Sequence, residues 1–251
     1  MLLAIDTSTM QSGLACYTAD ELLGECSWNS GRNHTTQVLA QLDLLLRHIG
    51  RRTSAIQAVA VARGPGSWSG LRVGMSLAKG IALAGNLPLL GIGTLDALAY
   101  QHQQPLIPIY PLISLGRERV ATARFQLTTA WQRQSEYLNL SLPELAHAVA
   151  NDDQVLFCGD TPAPLRASLR ELLGPQAQFV GAATALRRTG YLAELAWQRL
   201  QRGEQDVIAT LEPIYLGDAV RIPAATTTDH PPPDLTDAHQ PDLSPPPTLE
   251  V

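Results

Sequence analysis

Lysine is almost missing from this chain: Lys79 is the only one in 251 residues. Arginine supplies the other cations, and they are scattered. The nearest thing to a cluster, Arg117, Arg119, Arg124 and Arg133, reads as a solvated strand and loop face. No basic patch or stripe marks a protein that holds nucleic acid by itself. Up to residue 221, 18 acids balance all 18 Lys+Arg, and Asp229, Asp234, Asp237, Asp242 and Glu250 supply the whole formal charge of −5.

Cysteine is also scarce. Cys16, Cys26 and Cys158 are odd in number and form no CxxC, which argues against a disulfide framework or a zinc site. The six histidines (His34, His48, His102, His147, His230, His239) include no pair three to five residues apart, so there is no HxxxH or HExxH. No GxSxG elbow occurs, and Ser, His and Asp show no suggestive grouping. No metal ligand set or catalytic nucleophile is expected. No apolar run reaches the roughly 18 residues of a spanning helix, and "MLLAIDTST" lacks a basic n-region. A cytoplasmic protein without a membrane partner is expected.

What is present is hydrophobic patterning. Segments 2–6, 13–19 and 21–29 read as three consecutive antiparallel strands with short turns. In 33–50, Val38, Leu39, Leu42, Leu45, Leu46 and Ile49 form one helical stripe, which Asn33 or Thr35 can cap and Gly50 can end. Segment 56–62 is apolar on both faces, as a doubly buried strand should be. A helix over about 70–84, a strand over 88–92 and a helix over 94–102 complete the first half. This order is that of the ribonuclease-H-like unit from which actin, hexokinase and Hsp70 folds are built. In the second half, 106–114 and 119–127 read as paired strands. A helix over 141–150 opens on the capping box Ser141/Glu144. A strand over 154–160 and helices over 163–174 and 191–203 follow.

The expected fold is therefore α/β: an actin-like ATPase (ribonuclease-H-like) fold of two related lobes, each with a mixed sheet flanked by helices. Residues 1–103 form the first lobe, 104–221 a second, reduced lobe, and the last helix, about 190–203, packs back onto the first. Eight of the last 30 residues are proline; with few apolar residues, 222–251 reads as a disordered acidic tail.

Two stretches carry candidate chemistry. Asp6 ends a strand and is followed by Thr7 and Ser8; in the actin/hexokinase class such a turn faces phosphates and their magnesium. The same residues also fit a plain Asx or ST turn. "RGPGSWSGLRVG" (63–74) is glycine-rich, yet it matches neither GxxxxGK[ST] nor GxGxxG. Pro65 removes a donor there, and Ser67 and Ser69 suit helix caps. The helix after it is small or apolar nearly all round. Gly70, Gly74, Ala78 and Ala82 make one row; Ser76, Gly80 and Ala84 make another. Such a helix is usually covered on two sides, by the second lobe or by a partner. "FCGD" (157–160) offers a second strand-ending turn where a phosphate contact is conceivable.

"LLAIDTST", His34-Thr35, "RGPGSWSGLRVG" with "AKGIALA", "PLLGIGTLDALA" and "EPIYLGD" (212–218) resemble, in order, the TsaB (YeaZ) family of bacterial tRNA threonylcarbamoyladenosine biosynthesis proteins. The resemblance is strong over residues 1–100 and thin beyond. It implies a non-catalytic subunit that pairs with its catalytic paralogue TsaD through the first two helices. TsaE docks on that pair, and the complex transfers threonylcarbamoyl to the adenosine beside the anticodon of tRNAs reading codons that start with A. It implies contact with tRNA only through the complex, and ATP or ADP with magnesium at most at the complex interface. A surface made of the same two helices can also pair with itself in the isolated chain, since twofold packing needs only a self-complementary patch. TsaD carries an HxxxH metal pair; here only His34, followed by Thr35 and Thr36, stands in its place. The expected partner interface is His34, Val38, Leu42 and Leu45 from the first helix, with Leu71, Gly74, Met75, Ala78, Lys79 and Ala82 from the second. Asp6, Thr7 and Ser8 are expected as a vestigial phosphate contact. Two departures stand out: Ser114-Leu115-Gly116 replaces an Asp-Ala-Arg turn, and Gly217 replaces a usual arginine. The alternative is a free-standing ATPase or small-molecule kinase that uses Asp6; a peptidase has no nucleophile to work with.

Overall fold

The computed structural model describes residues 1–31, 33–104, 107–127 and 131–216. The tail expected over 222–251 lies outside them.

Period-2 alternation decides the first sheet. Strands β1 (Leu2–Asp6), β2 (Gln11–Tyr17) and β3 (Leu22–Asn29) run antiparallel. Helix α1 (His34–His48) then leads to β4 (Ala58–Gly64), parallel to β1, and α2 (Trp68–Gly85) leads to β5 (Leu89–Gly93). The order is β3-β2-β1-β4-β5. One face carries Leu3, Ile5, Val59 and Val61 and is covered by α1 and α2 through Val38, Leu42, Leu46, Met75, Ala78 and Ala82. The other face is alanine-rich at its centre, with Ala4, Ala15, Ala58, Ala60 and Ala62 beside Leu2, Leu90 and Ile92. A nearly flat alanine surface lets a helix come close.

Helix α3 (Thr94–Tyr100) leads to the second sheet, of β6 (Ile109–Gly116), β7 (Arg119–Thr122), β8 (Phe125–Leu127), β9 (Trp131–Arg133), β10 (Leu138–Ser141), β11 (Val155–Gly159) and β12 (Ala177–Phe179). Helix α4 (Leu142–Ala148) precedes β11 and α5 (Ala163–Leu173) follows it. The main path is β10-β7-β6-β11-β12, the order of the first sheet repeated, with helices inserted at equivalent points. The ribonuclease-H-like pattern therefore occurs twice. Helix α6 (Thr189–Gln201) then returns to the alanine face of the first sheet through Leu192, Ala193 and Ala196.

The segment 119–127, read above as one strand, is broken. The Arg124 N–H goes to Ser135 Oγ (3.0 Å) and its carbonyl accepts from Gln134 N (2.7 Å), so β7 and β8 are separate. The capping box is present: Ser141 Oγ accepts from Glu144 N, and the Glu144 carboxylate accepts from Ser141 N at 2.7 Å. Among the described residues no helix is long and apolar enough to cross a membrane.

Candidate functional site

The turn after β1 and the corner between β4 and α2 meet, and glycine permits it. A Cβ on Gly66 would strike the Ser8 carbonyl, and one on Gly70 or Gly74 would strike Thr7. Ser67 N donates to Ser8 O (2.6 Å), and Thr7 Oγ1 donates to Gly70 O (2.7 Å). Gly66, Gly70 and Gly74 pack these two turns of the same chain together, while Gly64, at φ +107°, admits the Ile214 carbonyl.

Asp6 is fully engaged. Its Oδ1 accepts from Ser8 N (2.9 Å) and Ser8 Oγ (2.6 Å). Its Oδ2 accepts from Arg187 Nε at 2.8 Å, and both residues are buried, 5% and 8% exposed. Arg187 Nη2 also donates to Thr9 Oγ1 (2.9 Å) and Gln11 O (3.0 Å), so its guanidinium lies across the turn. Asp6, Thr7 and Ser8, expected as a vestigial phosphate contact, are thus tied up by groups of the same chain. All three are buried, and an internal cation takes the carboxylate that a hard metal would need. A magnesium-nucleotide site of the actin/hexokinase kind does not fit these residues. Nothing in the sequence pointed to Arg187, which lies in the loop before α6, far along the chain.

A cleft of about 840 Å³ opens beside this turn, between Met10, Trp28 and Ser67 on one side and Ser114, Asp160 and Arg166 on the other. The Gln11 side-chain nitrogen is buried without a partner near its wall. The "FCGD" turn is structural: the Asp160 carboxylate accepts from Ser114 N (3.2 Å), and Asp160 N donates to Leu112 O (2.8 Å). Gly159, at φ +88°, occupies the place in the second sheet that Gly64, at φ +107°, holds in the first.

His34 begins α1 but points inward. Ser30 Oγ donates to Met10 O (2.9 Å) and accepts from Ser12 Oγ (3.0 Å), and His34 Nδ1 lies 2.8 Å from Ser12 Oγ. The Nε2 edge of the ring faces Gly70. Burial holds its pKa below the usual histidine value, with Asp6 opposing the shift. Four residues on stands Val38, in the core. Among the described residues, no group of three His, Cys, Asp or Glu converges to hold a metal.

The expected partner interface needs a correction. His34, Val38, Leu42, Leu45, Leu71, Gly74, Met75, Ala78 and Ala82 are all buried within this chain, and only Lys79 is half-exposed. The stripes that look fit for a partner are those that hold α1 and α2 to their own sheet. The outward faces carry other residues. Trp68, Arg72, Ser76, Gly80 and Leu83 on α2 are exposed, as are Thr35, Leu39 and Leu44 on α1. A groove of about 440 Å³ runs between the helices along Thr35, Leu39, Val73, Ser76 and Leu77. At its end Arg72 lies 3.8 Å over the Trp68 ring, and its Nε donates to Tyr215 Oη (3.3 Å). Tyr215 arrives on a C-terminal strap, where Ile214 N donates to Arg63 O (2.6 Å). Arg72 and Tyr215 belong to two separated motifs, and that was the available signal. Gly217 lies outside the described residues.

Over residues 28–222 the sequence matches the family described as TsaD: tRNA N6-adenosine threonylcarbamoyltransferase. The chain belongs to this family. It is 28% identical over 217 residues to the tRNA threonylcarbamoyladenosine biosynthesis protein TsaB of Bacillus subtilis, covering 86% of this chain and 93% of that protein. To the Escherichia coli protein of the same name it is 36% identical over 96 residues, 34% of this chain and 42% of that one. Among solved structures, YeaZ from Pseudomonas aeruginosa superposes with a TM-score of 0.70 at 24% identity, covering 86% of this chain and 99% of that chain. At that identity the likeness is one of fold, the two-lobed actin-like architecture. Within this family, then, the present chain has an intact scaffold, a first-lobe turn closed by Arg187, and a histidine turned into the core.

Proposed function

We propose that this chain is a non-catalytic subunit in the biosynthesis of threonylcarbamoyladenosine in tRNA. It pairs with a TsaD-type transferase and offers TsaE a composite surface. The pair delivers threonylcarbamoyl to the adenosine beside the anticodon in tRNAs reading codons that start with A. The observation that carries the non-catalytic part is the buried Asp6–Arg187 pair, which leaves no free carboxylate at the turn where an actin-class ATPase or kinase would hold magnesium. The names of its TsaB relatives support the pathway.

Pairing rests on the outward faces of α1 and α2. Two neighbouring helices with an apolar groove between them can accept a second helical pair by ridges-into-grooves packing. The same surface is self-complementary enough to join two copies when no paralogue is present. Transfer of threonylcarbamoyl to an unmodified tRNA is the test, using the cognate transferase and TsaE with and without this chain. Modification is expected only with the chain present. An equal yield without it, or ATP turnover by the chain alone that disappears in Asp6→Asn, would refute the reading.

A further inference from the structure

The two edges of the first sheet are finished differently. β5 is sealed by the chain itself: Asp206 N donates to Leu89 O (2.8 Å), Gly91 N to Asp206 Oδ2 (2.7 Å) and Arg199 Nη1 to Gly91 O (2.9 Å). β3, at the opposite edge, is open: among the described residues, no loop or side chain bonds the outer side of backbone 23–28. It is also the longest edge strand, with eight residues against five in β5, four in β10 and three in β12. It holds no proline or lysine, and its one charge, Glu25, is taken by Arg188 at 2.9 Å. Short strands, prolines, lysines, bulges and covering loops are the usual defences of a sheet edge. Here the only one is a register shift opposite Leu22, which leaves Gly24–Asn29 regular.

The ladder fixes which groups face outward. Ser30 N donates to Met10 O (2.9 Å), and the pairs Trp28–Ser12, Cys26–Leu14 and Gly24–Cys16 follow at two-residue steps. The backbone groups of Gly24, Cys26 and Trp28 therefore point to β2, and those of Glu25 and Ser27 point out of the edge. Side chains alternate as well: Cys26 and Trp28 pack on the α1 side, and Glu25 reaches Arg188, at the start of α6.

We infer that β3 is a joining edge for a second copy of this chain: two β3 strands pair antiparallel about a twofold axis at Cys26, and two five-stranded sheets run on as one. A twofold perpendicular to the sheet keeps the α1 sides of both copies on one face, so residues of the same parity must stand opposite each other. With the axis at Cys26, Glu25 and the second copy's Ser27 exchange backbone hydrogen bonds, and a hydroxyl stands beside the carboxylate. Gly24 then lies opposite Trp28, the smallest residue against the largest. An axis at Glu25 would oppose two carboxylates, which weakens a cross-strand pair. An axis at Ser27 would shorten the paired stretch, because β3 ends at Asn29. A second copy brings the matching edge by symmetry, as an isologous joint requires; a different protein would need an open edge of its own. The joint uses a strand edge, so it does not depend on the helix-face pairing proposed above.

Sedimentation and residue-level amide exchange of the full chain at rising concentration test this. A monomer–dimer equilibrium is expected. The Glu25 and Ser27 amides are expected to exchange at least about tenfold more slowly in the dimer than in dilute monomer. The Cys26 amide, already bonded to β2, should change little. The two Cys26 residues form a non-hydrogen-bonded pair with Cα atoms about 4.5 Å apart, within disulfide range. Copper phenanthroline is therefore expected to cross-link the parent and not Cys26→Ser; Cys16 and Cys158 are buried and do not compete. Ser27→Pro removes an outward N–H and leaves the ladder to β2 in place. It is expected to abolish the dimer with a melting temperature near the parent's, whereas Leu39→Arg, on the outward face of α1, should leave the dimer intact. A chain that stays monomeric, or a dimer whose Glu25 and Ser27 amides exchange as in the monomer, refutes the joint. So does a folded Ser27→Pro that dimerises like the parent; should that variant fail to fold, the parent's amides decide. Slowed amides without a Cys26 cross-link refute the axis at Cys26. Loss of the dimer in Leu39→Arg but not in Ser27→Pro assigns self-association to the helix face and overturns the proposal.

Discussion

Asp6 and Arg187 stand 181 positions apart and meet as a buried ion pair at 2.8 Å, joining the end of the first strand to the loop before the last helix. Each is held by further hydrogen bonds, Asp6 by Ser8 and Arg187 by Thr9 and Gln11. The pair closes the turn after β1.

Removing one partner leaves a buried charge alone. Arg187→Ala is expected to cost about 3–5 kcal/mol, read as a lower urea midpoint. Asp6→Asn combined with Arg187→Met, which removes both charges, should recover most of that loss. An Arg187→Ala chain as stable as the parent would show that the pair does not hold the turn.

Nucleotide should leave stability unchanged. A ligand present at 100 times its dissociation constant adds about 2.7 kcal/mol to the folded state. Magnesium with ATP is expected to produce no shift in the thermal midpoint of the isolated chain. A rise that saturates with concentration would show that the cleft holds nucleotide despite Arg187.

Glycines of α2 should separate by face. Gly70→Ala pushes a methyl group into the Thr7 carbonyl and is expected to destabilise by about 1–3 kcal/mol, as overpacking does. Gly80→Ala meets only open space and is expected to stabilise the isolated chain by about 0.5–1 kcal/mol. Equal effects at both positions would contradict this assignment of inner and outer faces.

Acid should weaken the fold through His34 and His102, whose pKa values are both lowered by burial. The folded protein keeps these rings neutral while the unfolded chain protonates near 6.5, so their stabilisation is full above that value. It is lost progressively as pH falls below it. Urea midpoints measured between pH 7.5 and pH 5.5 (about one unit either side of the unfolded value) should fall for the parent. They should fall less for His34→Gln. An unchanged slope in the variant would mean that His34 titrates alike in the folded and unfolded chain.

Much of the architecture was legible locally. The Ser141/Glu144 capping box and the stripe of Val38, Leu42, Leu45 and Leu46 are short-range patterns and appear where the residues place them, while Leu39 faces outward and the two-sided strand expected over 56–62 runs Ala58–Gly64. The break at Ala123–Arg124 was not legible, because Gln134 and Ser135 bond Arg124 from the turn after β9. The partner face was misread for a related reason. Apolar periodicity marks the side of a helix that is buried, and burial against the chain's own sheet looks the same as burial against another molecule.

By itself, then, the sequence determined the alternation of strands and helices and hence a repeated lobe. It also determined the absence of any metal-binding spacing, because these features depend on residues within one or two turns of each other. Tertiary structure alone decided which glycines close on Thr7 and Ser8, that Arg187 neutralises Asp6, that His34 turns to Ser12, and that Arg72 meets Tyr215. Those pairs are set by how the chain's distant segments fold back on one another, and no local period records that distance.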